Sequence, residues 1–434
     1  MKISEKTFNK VLNLLLFIIA ITLIFRKLCT IFLIVFVVFN LVFYKKIKIT
    51  KSQLPLLLII ASPFLMELLF FGRNDSYALG LKSLEKSLSL LFLPVFIIGN
   101  YKRIQFVSLL KAYCLGTTII MLFFFIQFIV VYPEVFAKYL KGIDLWEMGY
   151  VFANNMGIHA PALNMHLAFV AFSNFYFLLE SSKSNVCIWL KLRDLAFFIF
   201  SFFFVLFVNT RIALLATLCG FIIVIYFLIS KKFDAKRILV SGLVAFFLAG
   251  IVLFLFVQKD PYMKEKYTTQ IFSHMDKVGK LDEIDHPEIT VFSALVTRVS
   301  IWKSAWELSL KNLPFGVGAS DGKIELVKYF KKTNQVFLAK YEFPTHNQFL
   351  DFLLKFGVLG PIVVLSYIGF IGYVGVKSKN AVVFSFFFLF FISNLTDDFL
   401  LRFDGIVFSG LWICLFTAYW LQQKNNSVPE YNLQ

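Results

Sequence analysis

Twelve apolar runs, each near the length that crosses a bilayer as a helix, divide this chain and leave it little choice of fold. They fall near 11–25, 28–44, 54–71, 79–99, 106–131, 161–179, 195–208, 212–229, 238–257, 349–376, 381–394 and 405–421. About 20 apolar residues span the hydrocarbon layer as a helix, and a helix satisfies its own backbone polar groups there. With 59% hydrophobic residues and 57 phenylalanines among 434, a water-soluble core could not hide the apolar surface. The expected fold class is an all-α polytopic membrane protein of about 12 transmembrane helices, with a large, partly helical outer loop between helices 9 and 10.

The loops between the runs carry unequal charge. One alternate set holds twenty lysines and arginines, among them Lys45, Lys46, Lys102, Arg103, Lys231 and Lys232. The other short loops hold seven: Arg26, Lys27, Arg73, Lys138, Lys141, Arg211 and Arg402. Positive loops stay in the cytoplasm, so both termini are expected inside. The same bias accounts for much of the +17 net charge without nucleic acid, an unlikely partner for this architecture. The first run has no small-residue cleavage site behind it and reads as a retained helix. The five cysteines are scattered, with no spacing that predicts a disulfide framework or a zinc site.

On this pattern the chain divides into an N-terminal transmembrane region (1–257), a large loop with amphipathic helices (258–345), a C-terminal transmembrane region (346–421) and a tail (422–434). The loop contains a helical period from Ser300 to Leu310, a Pro- and Gly-punctuated turn from Asn312 to Gly318, and a basic amphipathic stretch at 321–342 suited to an anionic membrane surface. A second outer loop, 132–160, holds Trp146, Asn154, Asn155 and His159.

Three residues reach the outer face from distant parts of the chain. Arg211 follows Asn209-Thr210 at the end of a span, Arg298 opens the loop helix, and His346 sits where the loop re-enters the membrane. A guanidinium offers a planar fork of donors that suits phosphate oxygens and stays charged. A neutral imidazole accepts a proton from a sugar hydroxyl near neutral pH. Thr345 is expected to cap the helix carrying His346, whose dipole would favour the neutral ring. Each residue also has a bland reading: Arg211 snorkelling to the interface, Arg298 pairing with Glu288 or Glu307, His346 as an ordinary polar side chain. Lys82, Glu85 and Lys86 share one face of the fourth run, where charges tend to face an internal cavity; the alternative is that they simply lie in the outer interface.

Arg298-Val-Ser-Ile-Trp302, Leu313-Pro-Phe-Gly-Val-Gly318, Thr345-His-Asn-Gln348 and Gly357-Val-Leu-Gly360 together resemble the O-antigen ligase/polymerase superfamily. The match to its histidine element, His-Asn followed after nine residues by Gly-x-x-Gly, is without a gap. The resemblance implies an inverting, metal-independent and cofactor-free glycosyltransferase of the bacterial inner membrane with its active site facing the periplasm. The implied donor is a glycan on undecaprenyl diphosphate, and the acceptor is lipid A-core or another glycan. By that resemblance Arg211 and Arg298 bind the diphosphate and His346 is the catalytic base. Asn347, Lys82 and Lys86 are further candidate substrate contacts. No carboxylate stands out as an alternative base; Asp321 and Glu307 lie in the right loop without a distinctive setting.

Ligase is the favoured reading, with a polymerase of lipid-linked repeat units as the alternative. A flippase or transporter is more remote, because the ionisable residues gather at one face and no repeated halves are visible. A purely structural membrane protein is the remaining alternative.

Overall fold

The computed structural model describes residues 3–141, 145–183, 187–229, 273–292 and 294–426, and all their regular structure is helical. The helices, in chain order, are α1 (Glu5–Thr22), α2 (Arg26–Val42), α3 (Leu54–Leu69), α4 (Tyr77–Ser87), α5 (Ser89–Ile98), α6 (Phe106–Val131), α7 (Pro133–Leu140), α8 (Leu145–Asn155), α9 (Ala160–Lys183), α10 (Ile188–Val208) and α11 (Arg211–Ile229). After the large loop's first part come α12 (Pro287–Thr290), α13 (Leu295–Lys311), α14 (Gly322–Lys332), α15 (Val336–Lys340), α16 (Gln348–Phe356), α17 (Leu359–Lys377), α18 (Ala381–Thr396) and α19 (Phe403–Asn426). The expected span at 238–257 lies outside the described residues.

Among the described residues, six helices are long and apolar enough to cross a membrane: 51–73, 106–131, 160–182, 211–228, 359–377 and 403–425. The chain is thus a polytopic, all-helical membrane protein. The expected run at 195–208 extends back to Ile188 as the 21-residue α10, because amphipathic residues 188–194 continue its helix. Two other runs are divided. The fourth is split at Leu88 into α4 and α5, so its charged half forms a helix of its own with Lys82, Glu85 and Lys86 exposed, away from any internal cavity.

The run at 349–376 is two helices, α16 and α17, and the break has a steric cause. Gly357 has φ of +61°, and a Cβ there would fall 1.8 Å from the Pro314 carbonyl oxygen. Gly360 is pressed as closely onto α16, its Cβ position 2.0 Å from the Phe352 oxygen. Val358 N donates to Pro314 O at 3.1 Å, while Val317 N and Gly318 N donate to Leu354 O and Lys355 O at 2.9 and 3.0 Å. The 313–318 turn therefore docks directly onto the end of α16, and the two glycine-bearing motifs interlock through backbone.

Two apolar cores meet at α16. Phe352 and Phe356 belong to the membrane core with Phe169, Tyr367, Phe390 and Trp412. Leu354, on another face, joins a core of the large loop built from Ile301, Ala305, Leu326, Phe330 and Phe337. The basic stretch at 321–342 is not one helix but α14 and α15, separated by a turn in which Asn334 adopts φ of +54°. The loop is also fastened to the α3–α4 turn, where Asp75 N donates to Asp321 Oδ2 at 2.9 Å and Ser320 N to Asn74 Oδ1 at 2.8 Å.

Chain alternation gives the bundle two rims. At one, Lys46 and Arg103 pair with Glu5 and Gln422 Nε2 donates to Ile104 O. At the other lie the described part of the large loop, from residue 273, and the connections around His159, Asn209 and residues 397–402.

Candidate active site

His346 is not on a helix. It precedes α16 with φ of +47°, a left-handed backbone that costs an L-residue roughly 1 kcal/mol. The surroundings hold it there: Trp302 Nε1, on α13, donates to the His346 carbonyl at 3.3 Å. The expected cap at Thr345 is replaced by Asn347, whose Oδ1 accepts from Phe349 N and Leu350 N at 3.0 and 3.1 Å. Asn347 sits two residues closer to the first free N–H groups, and its extended backbone suits the cap position. Its Nδ2 donates to Leu395 O at 3.0 Å, so the amide's hydrogen bonds serve the scaffold as well.

The α18–α19 connection is sewn against this start of α16. Gln348 Oε1 accepts from Leu400 N at 2.7 Å, and Arg298 Nη1 donates to the Thr396 carbonyl. Arg298 therefore pairs with backbone rather than with Glu288 or Glu307. These contacts present Asp397 to His346, with Oδ1 3.4 Å from Nδ1. Arg402 Nη2 lies 3.6 Å from Asp397 and 3.4 Å from Asp398.

Two adjacent buried carboxylates divide into opposite states. Burial opposes ionisation of Asp397, but the hydrogen bond from His346 and the charge of Arg402 prevail and hold it well below the usual carboxylate range. Burial and the charge of Asp397 push Asp398 up to about 8. An ionised Asp397 accepts the Nδ1–H of His346, which leaves the Nε2 lone pair available as a base.

Arg211 is set by the turn between α10 and α11. It begins α11 immediately after Asn209, which ends α10 in the left-handed region at φ of +52°. Buried Asn164 on α9 fixes this turn, its Nδ2 2.8 Å from Thr210 Oγ1 and 3.3 Å from Val205 O. Helix α8 is clamped beside it, since a Cβ on Gly149 would fall 2.1 Å from Val208 O. Burial raises the pKa of the Tyr150 hydroxyl, Arg298 and Arg211 lower it, and Asp397 raises it. Arg211, Arg298 and Asp397 thus act on one hydroxyl, although they lie at the start of α11, within α13 and just after α18. Lys82 and Lys86 take no part in these contacts.

His346, Asp397 and Asp398 each offer a ligand atom, all within 4.8 Å of one another. The donor set could hold a divalent cation. Against that use, Arg402 already lies near both carboxylates, and His346 Nδ1 is already engaged with Asp397 Oδ1.

A family model described as O-Antigen ligase matches residues 196–365. The match supports a place for the chain in the O-antigen ligase superfamily. The matched stretch takes in Arg211, Arg298, His346 and both glycine motifs, and it ends before Asp397, Asp398 and Arg402. A search of curated proteins gives no match. The match supports an O-antigen ligase- or polymerase-type function, that of a membrane glycosyltransferase-like enzyme acting on lipid-linked glycans. With its membrane-length helices, it also marks a bacterial inner-membrane protein.

Reading the sequence missed the carboxylates and Arg402. A signal was present: Asp397-Asp398 directly follows an apolar run at the rim where His346 re-enters. Asp321 and Glu307, weighed instead, have structural partners, Asp75 N and the Tyr329 hydroxyl.

Proposed function

We propose that this O-antigen ligase-like protein transfers a glycan from undecaprenyl diphosphate to a sugar hydroxyl of lipid A-core, at the periplasmic face and without a metal. The observation that carries the reading is the His346–Asp397 pair set beside Arg298. His346 Nε2 takes the proton of the acceptor hydroxyl, and Asp397 stabilises the imidazolium that forms. The hydroxyl oxygen attacks the anomeric carbon from the face opposite the leaving group, which inverts the configuration. The C–O bond to the diphosphate breaks and its electron pair leaves with the lipid diphosphate, whose charge Arg211 and Arg298 balance. Arg402 keeps Asp397 ionised while the proton moves. Lys82 and Lys86, exposed on α4, contribute long-range attraction for the anionic donor.

The loop-charge bias supports the orientation: the His346 rim carries the sparse set and faces the periplasm, with both termini in the cytoplasm. The large loop, 258–345, then acts as a periplasmic unit between transmembrane regions 1–257 and 346–421, its own apolar core supporting that division.

The test is a deletion strain complemented with wild-type or His346→Ala protein at matched expression, with surface lipopolysaccharide resolved on a gel. Bare core lipid with accumulated long lipid-linked chains supports the ligase. Core lipid bearing single repeat units turns the assignment to a polymerase. Unchanged glycan overturns the role of His346.

A further inference from the structure

We propose that His159 and Tyr150 form a sugar-binding subsite on the shoulder between α8 and α9, in which the Nε2–H of His159 donates to a sugar hydroxyl. The proposal rests on the glycosyl-transfer reading above and adds a recognition element to it.

The tautomer of His159 follows from its partner. Arg402 Nη1 lies 3.1 Å from His159 Nδ1, and a guanidinium nitrogen can only donate. Nδ1 is therefore the acceptor, and the proton of the neutral ring is on Nε2. Desolvation of the ring by the protein beside it, with the charges of Arg402 and Arg298, lowers the pKa of His159 to about 4, against the opposing pull of Asp397. The ring stays neutral where the enzyme works. Its Nε2 meets no hydrogen-bond partner among the described residues, and the side chain is open to solvent.

Tyr150 completes the shoulder. Its ring stands edge-on to His159, with centroids 6.3 Å apart, and it is 42% exposed. Its hydroxyl makes no hydrogen bond to a described residue, although it lies in the field of Arg298, Asp397 and Arg211. The clamp at Gly149 fixes this ring beside the Arg211 turn. An oriented neutral donor, a free phenol and an aromatic face suit an uncharged polyhydroxyl ligand, whereas the arginines suit the diphosphate. Through Arg402, the subsite is one guanidinium away from Asp397 and the attacking centre. The sugar held there is either the reducing-end sugar of the carrier-linked glycan or the acceptor sugar.

Two substitutions separate recognition from support of Arg402. In His159→Gln the longer amide puts a donor near the Nε2 position and removes the acceptor for Arg402. In His159→Asn the shorter amide keeps an acceptor near Nδ1 and removes the Nε2 donor. Steady-state transfer is measured with full-length protein in detergent, using polyprenyl-diphosphate-linked O-antigen oligosaccharide and core-only lipopolysaccharide. The expected result is an about 3- to 10-fold rise in KM for one glycan substrate in His159→Asn, with kcat nearly unchanged and most of the loss restored in His159→Gln. A rise for the carrier-linked glycan assigns the subsite to the donor, and a rise for lipopolysaccharide assigns it to the acceptor. A His159→Asn enzyme with wild-type KM values, or a His159→Gln enzyme with the same KM rise as His159→Asn, overturns the proposal and leaves His159 as a support for Arg402.

A binding measurement keeps the two readings apart. Saturation-transfer NMR uses free core oligosaccharide and free O-antigen oligosaccharide as probes. Signal with wild type and His159→Gln but not His159→Asn supports the subsite even if wild type transfers nothing, an outcome that refutes only the reaction. Equal signal, or none, in all three proteins refutes the subsite.

Discussion

His346 Nδ1 lies 3.4 Å from Asp397 Oδ1, across 51 residues of sequence and a membrane hairpin. The contact assigns the two ring nitrogens different tasks, Nδ1 donating to the carboxylate and Nε2 left for the acceptor's proton. Residues that act as such a unit give non-additive losses when removed. His346→Ala should lower kcat by about 10²- to 10⁴-fold, and Asp397→Asn by a smaller factor. The double variant should be little worse than His346→Ala alone. Single-turnover transfer by the four proteins measures the coupling, and additive losses would mean that the pair does not work as a unit.

The arginines should fail differently. Lysine keeps the charge but loses the planar fork, so Arg211→Lys and Arg298→Lys should each raise KM for the carrier-linked donor by about tenfold. Arg298→Ala should cost kcat as well, because Arg298 also holds the Thr396 carbonyl and hence the position of Asp397. Donor and acceptor titrations of each variant separate the two effects.

Asp398 gives a pH-dependent prediction about stability. Its carboxyl is pushed up to about 8 in the fold by burial and by the charge of Asp397, against an ordinary value of about 3.9. The folded state therefore holds a proton that the unfolded chain gives up. This contribution is fully present below about pH 4 and is lost as pH rises towards 8. Asp398→Asn, neutral throughout, should change the melting temperature little at pH 4 and raise it progressively up to pH 8. Thermal unfolding in detergent across that range is the check; a constant difference would contradict the buried, protonated Asp398.

Gly357 and Gly369 form a matched pair. A Cβ at Gly357 meets the Pro314 oxygen at 1.8 Å on a positive-φ backbone, whereas a Cβ at Gly369 meets nothing within 4 Å. Gly357→Ala should cost about 1–3 kcal/mol or more and loosen the 313–318 turn from α16. Gly369→Ala should be silent. Melting temperatures and the yield of folded protein after detergent extraction distinguish them.

The all-helical membrane fold was legible because bilayer length and apolarity are written locally in each run. The histidine element was legible for the same reason, as His346, Asn347 and the Gly357–Gly360 turn lie within one short segment. What escaped was the tertiary pairing. Nothing local marks Asp397 as the partner of His346, because that pairing depends on Asn347, Gln348 and Arg298 each reaching a backbone group of the 395–400 turn. The break of the 349–376 run escaped for a related reason. Gly357 reads as one more small residue in an apolar stretch until Pro314, from a distant turn, takes the space of its missing side chain.

The central claim is that His346 takes the acceptor's proton during glycosyl transfer. Its most direct test uses purified protein, polyprenyl-diphosphate-linked oligosaccharide and core-only lipopolysaccharide, and follows free polyprenyl diphosphate together with glycan-bearing lipopolysaccharide. The account predicts stoichiometric formation of both products by wild type, and loss of both by about 10²-fold or more in His346→Ala that still binds donor. Undiminished product from His346→Ala would contradict it.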